Sequence, residues 1–156
     1  MAPAEFPALR TIADYQFGAG AGAALFPPGD EFEVQRSASG RPRQVSIDEG
    51  RLVTLGTDGR FTLGLAGGRR LAEGLAYPTY RVVVGDESEP YVRDGKNVFN
   101  KFVRDVDPDV RGADEVVVEH EDGTVIAVGR AELDGGSMLD FETGMAVMVR
   151  EGAGTD

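Results

Sequence analysis

Short valine-rich runs, separated by glycine-containing turns, fill the second half of this sequence and leave no room there for a long helix. Arg81–Val84, Glu115–Glu119, Thr124–Val128 and Met145–Arg150 predict strands, and Glu121-Asp122-Gly123 turns the second of these back onto the third. Ser88–Asp94, closed by Gly95, and Ser137–Phe141 predict two brief helices, while Val98–Val103 reads as apolar-rich and irregular or extended. Short strands joined by small helices are the pattern of a partly open β-barrel.

The first half is patterned differently. Leu9, Ile12, Ala13 and Phe17 recur at helical spacing and lead into Leu25 and Phe26, where Pro27-Pro28 stops the run. Phe32–Arg36 and Gln44–Asp48 alternate as strands do, and Leu52–Leu55 and Phe61–Leu65 flank Asp58-Gly59, a strong hairpin turn. Arg69–Ala76 predicts a short helix. Tyr77-Pro78 then disfavours helix and opens a strand, which divides the 156 residues into two domains with no flexible linker. Expected bounds are 1–76 and 77–152, with 153–156 a disordered tail.

Charge divides at the same place. The net charge is −11, and nearly all of it falls after residue 76. Only two of the sixteen basic residues are lysines, Lys96 and Lys101. An acidic, arginine-rich composition fits a halophilic archaeon, whose molar salt screens self-repulsion within about 3 Å. An ordinary acidic protein is the other reading. With 41% hydrophobic residues the chain can offset the entropy of folding, so disorder is excluded. No run reaches the ~20 apolar residues of a membrane helix, and the first ten residues lack a charged start followed by an apolar stretch, so a cytoplasmic location is expected.

Catalytic chemistry is sparsely represented. With no cysteine and a single histidine, thiolate zinc sites, thiol catalysis and His-built metal sites lose their ligands. His120 stands between Glu119 and Glu121 on the hairpin and reads as a solvated turn residue. The carboxylates read as surface charges, since no apolar setting singles out a pair. Gly18-Ala19-Gly20-Ala21-Gly22-Ala23 fits a dinucleotide fingerprint only by force, because a helix precedes it where a strand is required. Close packing of backbone through small residues is the preferred reading. No cofactor, metal or catalytic residue is expected.

Cations cluster despite the acidity. Arg36, Arg41 and Arg43 surround Ser39-Gly40 at one hairpin tip, and Arg93, Lys96, Lys101 and Arg104 interleave with Asn97, Phe99 and Phe102. Basic residues mixed with aromatics suit a nucleic acid, which offers phosphates to bind and bases to stack on. The alternative is that Phe99 and Phe102 are core and the cations solvate the face.

Residues Gly95–Val103, Gly112–Val118, Asp122–Ala131 and Gly144–Val147 together resemble a PUA domain, the small RNA-binding pseudo-barrel of pseudouridine synthases and archaeosine transglycosylases. The resemblance covers about residues 79–151. In the first half, Ala13–Gly18, Leu25-Phe26-Pro27, Ser39–Arg43 and Phe61-Thr62-Leu63 look like the domain preceding PUA in archaeal tRNA-guanine transglycosylases. The fold implied is α+β, a small α/β N-terminal domain packed on a PUA-type β pseudo-barrel with short helices. The resemblance stops at the carboxy-terminal part of those enzymes, and their catalytic barrel has no counterpart here.

The same resemblance implies RNA contact at Gly95 and the adjoining strand. Arg93, Gly95, Lys96, Asn97, Lys101 and Arg104 become candidates, with Phe99 and Phe102 as core. Met148 stands where the last strand usually carries a basic residue, which leaves Arg150; Arg36, Arg41 and Arg43 complete the set. Gly112-Ala113-Asp114 replaces the commoner P-G-D turn. The expected function is non-catalytic recognition of structured RNA, tRNA first, as an accessory or specificity module for RNA modification, with a catalytic subunit as partner and no membrane or DNA. The rival readings are a PUA-fold protein-interaction module in translation or ribosome assembly, the detached tRNA-binding subunit of a transglycosylase, and an enzyme completed by another chain.

Overall fold

The computed structural model describes residues 5–154, and the chain divides into two compact units, Met1–Leu75 and Ala76–Asp156. In the first unit, α1 (Glu5–Phe17) buries Leu9, Ala13 and Phe17, one residue per turn on a single stripe. The helical spacing predicted through Phe26 is interrupted after α1: Gly18 and Gly20 take left-handed conformations, and the chain restarts as α2 (Ala21–Leu25). Asp14 accepts the Gly22 N–H at 2.8 Å, and a Cβ on Gly22 would overlap the Arg10 backbone. The glycine run therefore serves close helix packing, as its composition suggested.

Strands β1 (Glu33–Arg36), β2 (Pro42–Ile47), β3 (Gly50–Leu55) and β4 (Phe61–Leu63) form an antiparallel meander in chain order. The following helix, α3 (Leu65–Gly74), starts four residues earlier than predicted. Gly67 and Gly68, which fall between the predicted strand and helix, lie within α3, and Gly67 is so close to β3 that a Cβ there would overlap the Leu52 carbonyl.

The second unit is a six-stranded sheet of order β6-β10-β9-β8-β5-β7. Its strands are β5 (Arg81–Val84), β6 (Val98–Phe99), β7 (Val103–Val106), β8 (Glu115–His120), β9 (Val125–Ala131) and β10 (Met145–Gly152). Only β5 with β8 pairs in parallel, and the other neighbours are antiparallel. β7 was not foreseen, because Arg104 and Asp105 break its apolar pattern with two exposed charges between buried valines. Helices α4 (Glu89–Arg93) and α5 (Gly135–Asp140) are the two short ones expected. The core is mostly branched: Val82, Val84, Val98, Val116, Val118, Ile126 and Val147 are all fully buried, with Ala127, Ala131, Ala146 and Met138 filling between them. Ala113 holds φ 75° where the family's turn commonly has glycine, a conformation that costs about 1 kcal/mol for a residue with a Cβ.

Three expectations need correcting. Carboxylates are not confined to the surface: Asp107, Glu115 and Glu119 are buried. Each is matched, Asp107 by the N–H groups of Tyr80 and Asp109, Glu115 by Arg150 and Glu119 by Arg81 at 3.2 Å. Burial pushes the Glu119 carboxyl up, with Arg81 pulling the other way. His120 is no solvated turn residue either, since only 11% of its side chain is exposed and Nε2 lies 2.6 Å from Asp86. Ala153 and Gly154, placed in the disordered tail, donate backbone hydrogen bonds to Ile126 and Arg93 at 2.8 Å. Thr155 and Asp156 lie outside the described residues. Among the described residues, no helix is long and apolar enough to cross a membrane.

The glycine contacts are directly testable. Gly67→Ala gains about 1 kcal/mol of helix propensity but forces a Cβ into the Leu52 carbonyl, so urea unfolding should show a net loss of about 1–3 kcal/mol. Gly136→Ala in α5, where nothing crowds the new methyl, serves as the control and should be neutral or stabilising.

Candidate nucleic-acid interface

The two edge strands of the second sheet, β6 and β7, are consecutive in the chain and joined by one turn of 3-10 helix, Asn100–Phe102. Residues 95–104 thus form the seam of a nearly closed barrel. The seam starts at a helix C-terminus: Gly95, at φ 93°, donates to Val92 O, and Lys96 N–H donates to Tyr91 O, both at 3.0 Å. These paired bonds and the left-handed glycine cap α4 and deliver Lys96 to solvent. Asn97 Oδ1 then accepts the Val149 N–H at 2.9 Å, tying the seam to β10. Asn100 is buried, and its backbone N–H and Nδ2 donate to Gly144 O and Thr143 O, each at 2.9 Å.

Of the ten predicted contact residues, several are engaged within their own unit. Arg150 makes a two-pronged ion pair with buried Glu115 at 2.6 and 2.8 Å, which fixes its guanidinium. Arg93 meets Glu89 and the Gly154 carbonyl, both at 3.3 Å. Arg104 donates to the Lys101 carbonyl at 3.1 Å. Arg36 grips Glu5 with both terminal nitrogens and also the Gly40 carbonyl. The hydrogen bond to Glu5 holds that guanidinium above its ordinary value, against a small opposing effect of burial.

Lys96, Lys101, Arg41 and Arg43 are different. All four are exposed, and none has a carboxylate within ion-pair distance among the described residues. Lys101 rests over the Phe102 ring at 5.0 Å. Arg41 and Arg43 belong to the β1–β2 hairpin of the first unit, Lys96 and Lys101 to the seam of the second.

The aromatic expectation is corrected in part. Phe99 is not core but 45% exposed, because β6 is an edge strand and only Val98 faces inward. Phe102 is half-buried. Sequence reasoning also missed Tyr91, 64% exposed on α4, and Arg130, which register places directly beside Met148. Arg130 supplies a cation next to the position that lacks one, although it pairs with Glu132 at 3.1 Å. Its location depends on the β9–β10 register, which no local pattern reveals.

Comparison with known proteins places these units. Residues 7–78 match the patch-forming domain C2 of tRNA-guanine transglycosylase, and residues 80–153 match the PUA domain. The chain is 46% identical over 145 residues to tRNA-guanine(15) transglycosylase of Pyrococcus furiosus, covering 92% of this chain and 24% of the relative. The enzyme of the same name from Methanothermobacter thermautotrophicus is 41% identical, covering 92% and 22%. The chain therefore spans about a quarter of the length of these relatives. Within its 156 residues only the two domains are matched, and no catalytic domain is evident. A hypothetical protein from Pyrococcus horikoshii superposes with a TM-score of 0.75 at 20% identity, covering 98% of this chain and 92% of its own. A PUA domain protein from Thermoplasma acidophilum superposes with a TM-score of 0.64 at 21% identity, covering 94% and 92%. Both likenesses concern the fold.

The position of Asn97 has a measurable consequence. Its carbonyl oxygen is occupied by the Val149 N–H, so Asn97→Ala should cost about 1 kcal/mol of stability by chemical denaturation. An unchanged unfolding midpoint would return Asn97 to the set of free contact residues.

Proposed function

We propose that this chain, a C2 patch-forming domain of tRNA-guanine transglycosylase followed by a PUA domain, binds structured RNA, tRNA first, and serves as an accessory or specificity module for RNA modification. The observation that carries the proposal is the seam. In a chain with sixteen basic residues, its only two lysines stand there in solvent with no acidic partner among the described residues, on either side of an exposed phenylalanine. Lys96 and Lys101 meet phosphates, Phe99 offers a face for stacking, and Gly95 leaves the backbone open to close approach. Arg41 and Arg43 give the first unit its own pair of phosphate contacts. Tying Arg36, Arg93, Arg104 and Arg150 into their own units makes them supports of the surface rather than its contacts.

The relatives' name, tRNA-guanine(15) transglycosylase, supports tRNA as the ligand and a catalytic subunit as the partner. The acidic balance sets the working conditions. We read it as adaptation to a salt-rich cytoplasm, where counterion release adds little to affinity. Stacking, hydrogen bonds and shape must then carry most of the binding. A second reading is favoured by Leu139, Phe141 and Met148, three large apolar side chains more than 40% exposed on the second unit. Exposed apolar side chains suit a protein partner in translation or ribosome assembly if they fall in one patch.

Replacing Lys96 and Lys101 with glutamate separates the readings. The double variant should fold, since exposed substitutions usually cost within about 0.5 kcal/mol. It should bind tRNA at least tenfold more weakly at one fixed salt concentration, equivalent to about 1.4 kcal/mol. An Arg41/Arg43 double glutamate variant tests the first unit in the same way. Folded variants that bind as tightly as the parent overturn the surface. A parent that binds no structured RNA transfers the function to the protein-interaction reading.

A further inference from the structure

β5 and β8 run parallel with Val84 opposite His120, so the turns leaving their C-terminal ends emerge side by side. One turn carries Asp86 and leads into α4, whose first residue is Glu89; the other carries Asp122. A ligand atom from each of Asp86, Glu89 and His120 lies within 4.8 Å of the other two. His120 is the chain's one histidine, and its ring faces carboxylates on both nitrogens: Nε2 is 2.6 Å from Asp86 Oδ1, and Nδ1 is 3.1 Å from Asp122 Oδ1.

We propose that Asp86, Glu89 and His120 form a binding site for a borderline divalent cation of the zinc or cobalt type, with water completing its shell. One imidazole nitrogen with two carboxylates is a donor set for such ions, whereas magnesium and calcium prefer oxygen alone. Metal–ligand distances of about 2.1 Å place ligand atoms roughly 3.4 Å apart in a tetrahedral shell. The triad's ligand atoms lie within 4.8 Å of one another, with Nε2 and Asp86 Oδ1 2.6 Å apart, so ligation requires small movements of the carboxylates. Asp86, whose side chain is 93% exposed, has the freedom to supply the remaining movement.

Nδ1 accepts the Asp122 N–H at 3.2 Å, which leaves the ring proton on Nε2, facing Asp86. Ligation at Nε2 would shift that proton to Nδ1, where the Asp122 carboxylate, 3.1 Å away, can accept it and orient the metal-bound imidazole. Asp122 is itself held in place, since its Oδ1 accepts the Thr124 N–H at 2.8 Å. The one cation with a described contact to the triad is Arg93, 3.3 Å from Glu89. A carboxylate has two oxygens, so Glu89 can keep this contact and still meet a metal. The turn also contains Ser88, buried with a hydroxyl that has no hydrogen-bond partner among the described residues. Neighbours in sequence gave no hint of the site: Asp86 and His120 are 34 positions apart, and strand pairing alone brings them together.

The site is independent of the RNA reading, because none of its three ligands belongs to the proposed RNA surface. Titration of the whole chain with Co2+ tests it, read by visible absorption and by the His120 imidazole nitrogen shifts. The expected result is saturable 1:1 binding with Nε2 ligated, resisted by no excess of Mg2+, and weakened at least tenfold in the Asp86→Asn/Glu89→Gln double variant. That variant keeps His120, and because Glu89→Gln removes the charge that pairs with Arg93 at the start of α4, its fold is checked by the unchanged spectrum of the barrel core. Absence of saturable binding, equal binding by the variant, or displacement by Mg2+ as from any acidic surface would each overturn the proposal.

Discussion

The barrel of the second unit closes through a single turn. Strand β8 pairs in parallel with β5 on one side and antiparallel with β9 on the other, which leaves β6 and β7 as the sheet's outer strands. Because β6 and β7 follow one another in sequence, the 3-10 turn between them must span the seam. Exposed strand edges invite unwanted pairing, and a two-residue β6 keeps that edge short. Buried Asn100 fastens the turn to the 143–144 backbone, and Asn97 fastens the approach to it. A rigid, capped, solvent-facing segment is the result, and it is there that the chain places both of its lysines.

Electrostatics are organised in the same economical way. A net charge of −11 does not leave the structure without internal ion pairs. Arg81–Glu119 is buried on both sides, and Arg150 spans to Glu115 across the sheet. Buried pairs of this kind contribute little net stability but are costly to break, since removal of one partner strands a charge. They also decide which cations face outward. An arginine locked to a buried carboxylate keeps its place on the barrel, whereas the two seam lysines have no acidic partner among the described residues.

Much of this was legible in the sequence, and the exceptions have physical causes. Val82–Val84, Val116–Val118 and Ile126–Val128 announce strands because buried sheet faces demand continuous branched residues. Gly95 announces its cap, and the run Gly18–Ala24 its tight packing. The α3 start was hidden because two glycines weaken the helical signal, and the close contact of Gly67 with β3 that favours it there cannot be seen in the sequence. Phe99 looked like core because hydrophobicity does not say whether a strand is an edge. The commitments of Arg150 and Asn97 were out of reach, since their partners lie 35 and 52 positions away; for Arg93 the contact with Gly154, 61 positions away, was equally hidden, whereas its pair with Glu89 has the local i,i+4 spacing. The cluster at His120 was invisible for the same reason.

The central claim is that the seam of the second unit is the face that meets RNA. Ultraviolet crosslinking of the intact protein to tRNA in molar salt, followed by mass spectrometry of the peptide adducts, tests it most directly. The account predicts adducts concentrated within residues 95–104, with Phe99 the principal site of attachment. Adducts confined to other surfaces, with the seam unmodified in a protein that binds tRNA, would contradict it.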